Sequence, residues 1–189
     1  MSILKVARMG HPVLRAKAKA LDKAIVKSPA IQKLIDDMME TMDEYHGVGL
    51  AAPQVHEGLR VFVAGFPPRP ARDDEEDEED GDEVPEMALI NPEIEIVSRE
   101  VMEDWEGCLS IPDIRGRVPR ARQIVVRAFD RGGKKIEVPA AGFTARVIQH
   151  ETDHLDGVLF FDRMKNFQSL TFLDEFGRYW SSRHPVRPE

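Results

Sequence analysis

Two histidines four residues apart, with a glutamate directly after the first, form the pattern in this chain that is best suited to chemistry. His150, Glu151 and His154 match the motif H-E-x-x-H. On a helix, side chains four residues apart lie one turn apart on one face, so both imidazoles can bind a single metal ion. Glu151 would lie beside that ion, where a carboxylate can accept a proton from a metal-bound water and pass it on. The pattern predicts a catalytic metal centre with its own general acid/base.

The same pattern also occurs by chance on solvated helices, so its surroundings matter. The preceding residues 142–148 are largely apolar, which predicts a half-buried helix. Buried histidine and glutamate side chains need partners that offset their desolvation, and a metal ion is one such partner. The two histidines supply only two ligands, whereas a catalytic site usually has three protein ligands and one open position.

The only cysteine of the chain, Cys108, is the candidate for the third ligand. It follows Glu106 and Gly107 instead of lying inside an apolar run, where structural cysteines are more typical. Without the histidine pair its role would stay undecided; with that pair, Cys108 becomes the leading candidate. A single cysteine also excludes intramolecular disulfides, which fits a reducing cytosol.

A second segment, residues 47–54, is small and apolar except for its last side chain, Gln54. Glycines in this segment allow the backbone to approach a ligand, and the Gln54 amide can donate a hydrogen bond to an oxyanion. The segment lacks the spacing and the basic residue of a phosphate-binding loop. Taken alone, a tight turn with a solvated glutamine is the simpler interpretation.

Length and composition predict one globular domain that carries these groups. The chain has 189 residues, of which 42% are hydrophobic. We expect no signal peptide and no membrane partner, because no sustained apolar run is present. No basic patch is interleaved with aromatic residues, so we expect no direct nucleic-acid partner.

Apolar periodicity predicts the main elements around the motif. A helix capped by Ser28, with Pro29 at its first position, would run to Gly47. Its methionines recur at helical spacing, which is typical of core packing. A short terminal helix over residues 170–180 would pack its apolar side chains on the body. Strands are predicted at 60–65, at 87–90 and 93–97 on either side of a turn at Asn91-Pro92, and in a hairpin at 123–129 and 135–138.

Residues 73–83 contain ten acidic side chains in eleven positions. Without them the chain has 24 acidic and 26 basic residues, so the net charge of −8 describes one segment and not the whole domain. Such a run repels itself and cannot be buried, which predicts a disordered surface insertion at about residues 70–85. A docking tail for a basic partner is the functional alternative.

Three separated segments resemble, in order, the three signature motifs of the peptide deformylases. They are GVGLAAPQ at 47–54, EGCLS at 106–110 and QHETDHLDG at 149–157. Each motif alone is only moderately specific, but three in the correct order are hard to obtain by chance. The resemblance implies an α+β fold in which short antiparallel sheets surround a central metal-binding helix. It also implies a hydrolase that removes the N-formyl group from the formylmethionine of newly made polypeptides and releases formate.

The resemblance also implies a role for particular residues. The metal ligands would be Cys108, His150 and His154. Glu151 would be the catalytic carboxylate, and Gln54 with the backbone N–H of Leu109 would stabilise the oxyanion. Backbone groups of Val48, Gly49 and Gly107 would pair with the peptide. Its methionine side chain would enter an apolar pocket near Val48 and Val147.

For the cofactor, the resemblance implies one divalent metal ion, commonly ferrous iron, with zinc, nickel or cobalt able to occupy the site. A cysteine and two histidines are soft enough for any of these ions. The substrates would be N-formylmethionyl peptides, and the ribosome is a partner by family analogy only. We expect a monomeric enzyme in the cytoplasm.

Two features depart from the family pattern. Asp113 follows Ile111-Pro112, where many relatives have glycine, and the acidic segment is longer than expected.

Two other functions also need weighing. A zinc endopeptidase with H-E-x-x-H-x-x-G-x-x-H needs a histidine where this chain has Phe160. A structural metal domain needs a fourth protein ligand, and the sequence offers no clear one.

Overall fold

The computed structural model describes residues 2–66 and 84–181, which form two antiparallel sheets with a helix between them. The acidic residues 73–83 lie outside the described residues. Within this part of the chain the strands are β1 (Gly49–Ala51), β2 (Val61–Phe66), β3 (Val84–Ile96), β4 (Val101–Cys108), β5 (Ile111–Ala121), β6 (Gln123–Phe129), β7 (Lys135–Ala141) and β8 (Thr171–Phe172). The five-stranded sheet has the order β1-β2-β3-β6-β7 and the three-stranded sheet the order β4-β5-β8. The helices are α1 (Pro29–Glu44), α2 (Gly142–Leu155), α3 (Phe160–Arg163) and α4 (Leu173–Tyr179), and short 3-10 turns lie at Pro12–Arg15, Lys23–Ile25 and Ala52–Val55. The expected α+β architecture is confirmed.

Helix α1 begins as the sequence predicts. The Ser28 hydroxyl accepts a hydrogen bond from the backbone N–H of Ile31, and Pro29 occupies the first helical position. Met38 and Met42 are buried in an apolar cluster with residues of β1 and β2. The methionine stripe is therefore core packing, as expected.

The predicted turn at Asn91-Pro92 is wrong, because β3 continues through it. Asn91 has a φ of 53°, and the pairing of β3 with β6 shifts register between Ile90 and Glu93. The Asn91 side chain accepts from the backbone N–H of Leu21 at 2.9 Å and donates to the Leu21 carbonyl at 2.8 Å. These two bonds hold the segment as a bulge inside one long strand. The predicted strand β2 and the β6–β7 hairpin are confirmed.

Helix α2 joins the two sheets. Ala145, Ile148 and Leu155 are buried against the five-stranded sheet. On another face, the buried Arg146 donates to the carbonyl of Val118 at 2.9 Å and to that of Met102 at 2.8 Å. These bonds fix the helix to β4 and β5, the strands that lead to and from Cys108.

The terminal helix is shorter than predicted. It begins at Leu173, because Thr171 and Phe172 pair with β5 instead. Phe176 packs edge-on against Trp105 at a centroid distance of 5.0 Å. The expected packing of the other apolar side chains on the body is wrong, because most of them are exposed: Phe172, Leu173, Tyr179 and Trp180. None of the helices within the described ranges has the length and apolar character needed to span a membrane.

Asp113 adopts a left-handed backbone conformation, with a φ of 63°. Glycine reaches this region without a steric penalty, whereas aspartate is among the few other residues that enter it regularly. The residue that departs from the family pattern is therefore compatible with the irregular start of β5, where the pairing with β4 shifts register.

Gly157, just after α2, anchors the helix against the N-terminal segment. It has a φ of 73°, and an added Cβ would lie 2.7 Å from the carbonyl oxygen of Arg15. We expect Gly157→Ala to lower the free energy of unfolding by about 1–3 kcal/mol, because both the backbone and the close contact are strained. Chemical denaturation measures this change. Gly58→Ala is the matched control, since nothing lies within 4 Å of its added Cβ; equal stability of the two variants would contradict the prediction.

Candidate metal centre and active site

The structure brings the three predicted metal ligands together. The donor atoms of Cys108, His150 and His154 all lie within 4.8 Å of one another. The sulfur of Cys108 is 3.3 Å from Nε2 of His154, and the two imidazole centroids are 4.9 Å apart. Donors that each bind one tetrahedral ion at about 2.0–2.3 Å have a mutual spacing of this order. The one-sulfur, two-nitrogen set therefore fits a divalent transition-metal ion.

A buried carboxylate orients the first of the two histidines. Oε2 of Glu106 is 2.9 Å from Nδ1 of His150, which leaves Nε2 of that ring for a metal. Burial alone would raise the pKa of Glu106, but the paired Arg120 and His150 hold it well below its usual range. Glu106 therefore stays ionised and accepts from Nδ1–H.

Glu106 is also the centre of a buried ionic network. It accepts from Nε and Nη2 of Arg120 at 2.8 and 2.9 Å, and from Nη1 of Arg146 at 2.8 Å. Asp153, which lies on α2, forms salt bridges with both Arg120 and Arg163. Since each buried charge has a partner of opposite sign, the network avoids the high cost of an isolated buried ion.

The two histidines have opposite electrostatic environments. Burial alone would lower the pKa of His150, but Cys108 and Glu106 raise it well above its ordinary value. Burial lowers the pKa of His154 well below its ordinary value, and the neighbouring His150 adds to this effect. A metal ion would therefore displace a proton at His150 and find a neutral ring at His154.

Glu151 is a buried carboxylate directly beside this cluster. It is 3% exposed, and burial raises its pKa to about 7. Its Oε2 has no hydrogen-bond partner among the residues that the structure describes. An added Cβ on Gly49 would lie 2.5 Å from Oε1 of Glu151, so only glycine permits β1 to run this close to the carboxylate.

Gln54 is held with its amide donor facing the cluster. Its Oε1 accepts from the backbone N–H of Ala51 at 2.7 Å, which orients Nε2 toward the sulfur of Cys108 at 3.5 Å and the hydroxyl of Ser110 at 3.3 Å. Gln54 is buried, so the alternative of a solvated glutamine in a turn is wrong.

The predicted peptide-binding residues flank the same centre. Val48 and Val147 pack in one apolar cluster beside α2. The side chain of Leu109 lies against Gly47, since an added Cβ there would be 3.0 Å from its Cδ1. Among the described strands, β1 and β4 are edges of their respective sheets. Residues 47–49 and 107–109 therefore lie at or beside these two sheet edges, next to the metal ligands.

Sequence reasoning missed the partners that hold the ligands in place. Glu106 lies two residues before Cys108, so the period-two alternation of a strand puts both side chains on one face. The two-residue spacing of Glu106 and Cys108 could therefore have indicated this partner from the sequence. Arg120 and Asp153 gave no comparable signal, because their contacts join segments that are far apart in the sequence.

Comparisons with known proteins agree on one family. A family model described as polypeptide deformylase matches residues 3–169. The chain is 41% identical to peptide deformylase 2 of Nostoc sp. over 170 residues, which is 89% of this chain and 90% of that protein. It is 43% identical to the peptide deformylase of Halothermothrix orenii over 165 residues, 87% of this chain and 95% of that protein.

Solved structures show the same similarity. The crystal structure of a peptide deformylase from Thermotoga maritima matches with a TM-score of 0.74 and 37% identity, over 87% of this chain and 99% of the other. A Met-Ala-Ser-bound class I type b peptide deformylase from Acinetobacter baumannii matches with a TM-score of 0.77 and 38% identity, over 86% of this chain and 98% of the other.

The network predicts that Glu106 supports both folding and metal binding. We expect Glu106→Gln to lower the free energy of unfolding by about 3–5 kcal/mol, because it leaves buried arginines without their carboxylate. We also expect a roughly 10–100-fold weaker metal affinity, because His150 loses its orienting partner. Since the pKa of Glu106 is depressed, its stabilisation is present at neutral pH and is lost only as pH falls through its low folded-state pKa.

Denaturation of the metal-free protein and competition for nickel with a chelator measure the two effects. Glu100→Gln is the control, because Glu100 is exposed and pairs with Arg122 at the surface, where an ion pair is worth about 0–1 kcal/mol. Wild-type nickel affinity in Glu106→Gln would contradict the orienting role.

Proposed function

The chain belongs to the polypeptide deformylase family, and on this premise we propose that it is a metal-dependent hydrolase that removes the N-formyl group from the formylmethionine of newly made polypeptides and releases formate. The observation that carries the proposal is the cluster of Cys108, His150 and His154 with the buried carboxylate of Glu151 beside it. A formamide is a poor electrophile, so its hydrolysis needs an activated nucleophile and a stabilised oxyanion in one place.

Cys108, His150 and His154 would hold one divalent ion. We propose ferrous iron as the ion in the cell, with zinc, nickel and cobalt as ions that fit the same donors. When bound, the ion would lower the pKa of a water toward about 7 and polarise the formyl oxygen. A thiolate ligand on ferrous iron also makes the site sensitive to oxygen.

Glu151 is the proposed proton carrier. Because burial raises its pKa to about 7, it can take a proton near neutral pH and return it to the departing amine. The unpartnered Oε2 leaves one oxygen of this carboxylate available for that exchange.

Gln54 is the proposed oxyanion donor, together with the backbone N–H of Leu109. The hydrogen bond from Ala51 fixes the Gln54 amide before substrate arrives, so no reorganisation is needed during the reaction. Its Nε2 already lies 3.5 Å from the sulfur of Cys108, next to the position where the formyl group would react.

We propose that the substrate binds as an added strand between the two sheet edges. Backbone groups of Val48, Gly49 and Gly107 would pair with it, and its methionine would enter the apolar region formed by Val48 and Val147. The relative whose structure holds Met-Ala-Ser supports a short peptide as the ligand. We further propose that the enzyme acts as a monomer in the cytoplasm on chains at the ribosome, because its substrates are nascent polypeptides.

A zinc endopeptidase is the less favoured function. The third histidine that it would need is replaced by Phe160, which is buried in an apolar cluster with Leu14 and Ile111. Cys108 would have no required role in such an enzyme, so Cys108→Ser separates the two functions. A deformylase should change or lose its metal in this variant.

The central test is formate release from a short formyl-Met peptide under anaerobic conditions, with iron- or nickel-loaded protein. We expect robust turnover in the wild type and a loss of about 10²–10⁴-fold in Glu151→Ala, because the proton carrier is gone. Glu100→Ala, which changes an exposed glutamate, should keep its activity. Loaded wild type that holds its metal and releases no formate would overturn the proposal.

A second test addresses the oxyanion donor. We expect Gln54→Leu to lower kcat by about 10²–10³-fold with little change in KM, because the lost hydrogen bond strengthens only in the transition state. Ser110→Ala is the control, since it removes the other partner of Nε2 and leaves the donor in place. Equal kcat values in both variants, measured with matched nickel content, would contradict this role.

A further inference from the structure

His11 and His56 form a pair of imidazoles outside the proposed active site. Their ring centroids are 4.7 Å apart, and the ring planes make an angle of 80°. Both side chains are exposed, so an ion in solution can reach them. The pair joins two segments that are far apart in the sequence, and for this reason no local spacing indicates it.

The geometry of this pair closely matches that of the two proposed histidine ligands. His150 and His154 have a centroid distance of 4.9 Å and an interplanar angle of 79°. Two imidazoles that each bind one ion at about 2.0–2.1 Å have centroids about 4.5 Å apart at a right angle of coordination and about 5.2 Å apart at a tetrahedral angle. Both pairs lie within this range, so the rings of His11 and His56 are close enough to share one ion.

The backbone holds both residues at the ends of short 3-10 turns. His11 caps the turn Pro12–Arg15, and its Nδ1 accepts from the backbone N–H of Val13 at 3.2 Å. His56 ends the turn Ala52–Val55 in a left-handed conformation, with a φ of 68°. The two turns contact each other. Since the fold already brings the rings together, an ion does not have to order them at its own cost.

An ion would compete with the hydrogen bond from Val13. A metal needs a ring nitrogen with a free lone pair, and the other nitrogen of a neutral imidazole carries the proton. An ion on Nδ1 of His11 replaces the bond directly, and an ion on Nε2 puts the proton on Nδ1, where it faces the Val13 N–H. The loss of one hydrogen bond weakens binding by about fivefold, so we expect a weaker site than the proposed metal centre.

The two rings would be the protein's share of the coordination. Within residues 2–66 and 84–181, no further cysteine, histidine or carboxylate joins the pair in a group of three donors. Water would therefore fill the remaining positions. Imidazole is a good ligand for nickel, copper and zinc, whereas magnesium and calcium prefer oxygen.

We propose that His11 and His56 form a second metal site, which takes a divalent transition-metal ion of the nickel, copper or zinc type. An ion shared by the two rings connects the N-terminal segment to the turn that carries Gln54. The segment already binds this turn, because the backbone N–H of Ala7 donates to the Gln54 carbonyl at 2.7 Å. The second ion thus stabilises the part of the fold that holds the proposed oxyanion donor.

Equilibrium dialysis of untagged protein against nickel counts the ions that each chain binds. We expect two in the wild type, one in the metal centre and a weaker one at the histidine pair. His11→Asn and His56→Asn should each lose one ion, because an amide oxygen is a poor ligand for nickel. Asparagine suits both positions, since it is a good N-cap at residue 11 and tolerates the left-handed conformation at residue 56.

His46→Asn is the matched control and should keep both ions. His46 is also an exposed histidine in a left-handed conformation, with a φ of 53°, so the substitution makes the same chemical change in a similar backbone. Cys108→Ser should weaken nickel binding at the metal centre and keep the weaker ion, which separates the two sites.

Thermal unfolding gives a second measurement. With free nickel about 100-fold above the dissociation constant of the weaker site, we expect the Tm of the wild type to rise by about 5–10 °C more than that of His56→Asn. Both proteins keep the metal centre, so its stabilisation cancels in this difference.

The proposal is refuted if either His11→Asn or His56→Asn binds as many nickel ions as the wild type. The pair would then be an aromatic contact only. Failure of the proposed function is a separate result, because a protein that releases no formate and still loses one ion in each variant supports the second site.

Discussion

The buried carboxylate of Glu106 is the interaction on which the rest of the site depends. It accepts from Arg120 on β5, from Arg146 on α2 and from His150 on α2, and thus joins the second sheet to the central helix through one group. Burying a carboxylate is unfavourable unless its oxygens are fully paired, and here four contacts surround it. The same contacts that offset its desolvation set the orientation of the His150 ring.

Two further contacts position Glu151 and Gln54 without involving the charged side chains of this network. Gly49 brings β1 against Glu151, and the Ala51 N–H fixes the amide of Gln54. The contact with Gly49 shields the carboxylate of Glu151 from water. The bond from Ala51 directs the neutral amide donor of Gln54 toward Cys108. The short segment of residues 49–54 thus packs against the proposed proton carrier and contains the proposed oxyanion donor, while Glu106 orients the ligand His150.

Local patterns predicted the start of α1 and the proximity of the two histidines, because their causes are local. The spacing of His150 and His154 follows from helix geometry, and the start of α1 follows from Ser28 and Pro29. The prediction failed at Asn91, where a side chain binds the backbone of Leu21, 70 residues away, and keeps a turn-like dipeptide inside a strand. The pairing of Arg120 with Asp153 also depends on a contact between segments 33 residues apart, and no spacing in the sequence indicates it.

The separation of the ligands along the chain has a consequence for how the enzyme is made. Cys108 and His154 are 46 residues apart, and the end of α2 also binds the N-terminal segment through the bond from Ala18 N–H to the Leu155 carbonyl. Loop closure and helix docking must therefore precede the formation of the complete donor set. During synthesis, the N-terminal half emerges with neither histidine of the pair, so a partly made chain cannot assemble the site. An ion held by all three donors would therefore bind only at a late stage of folding.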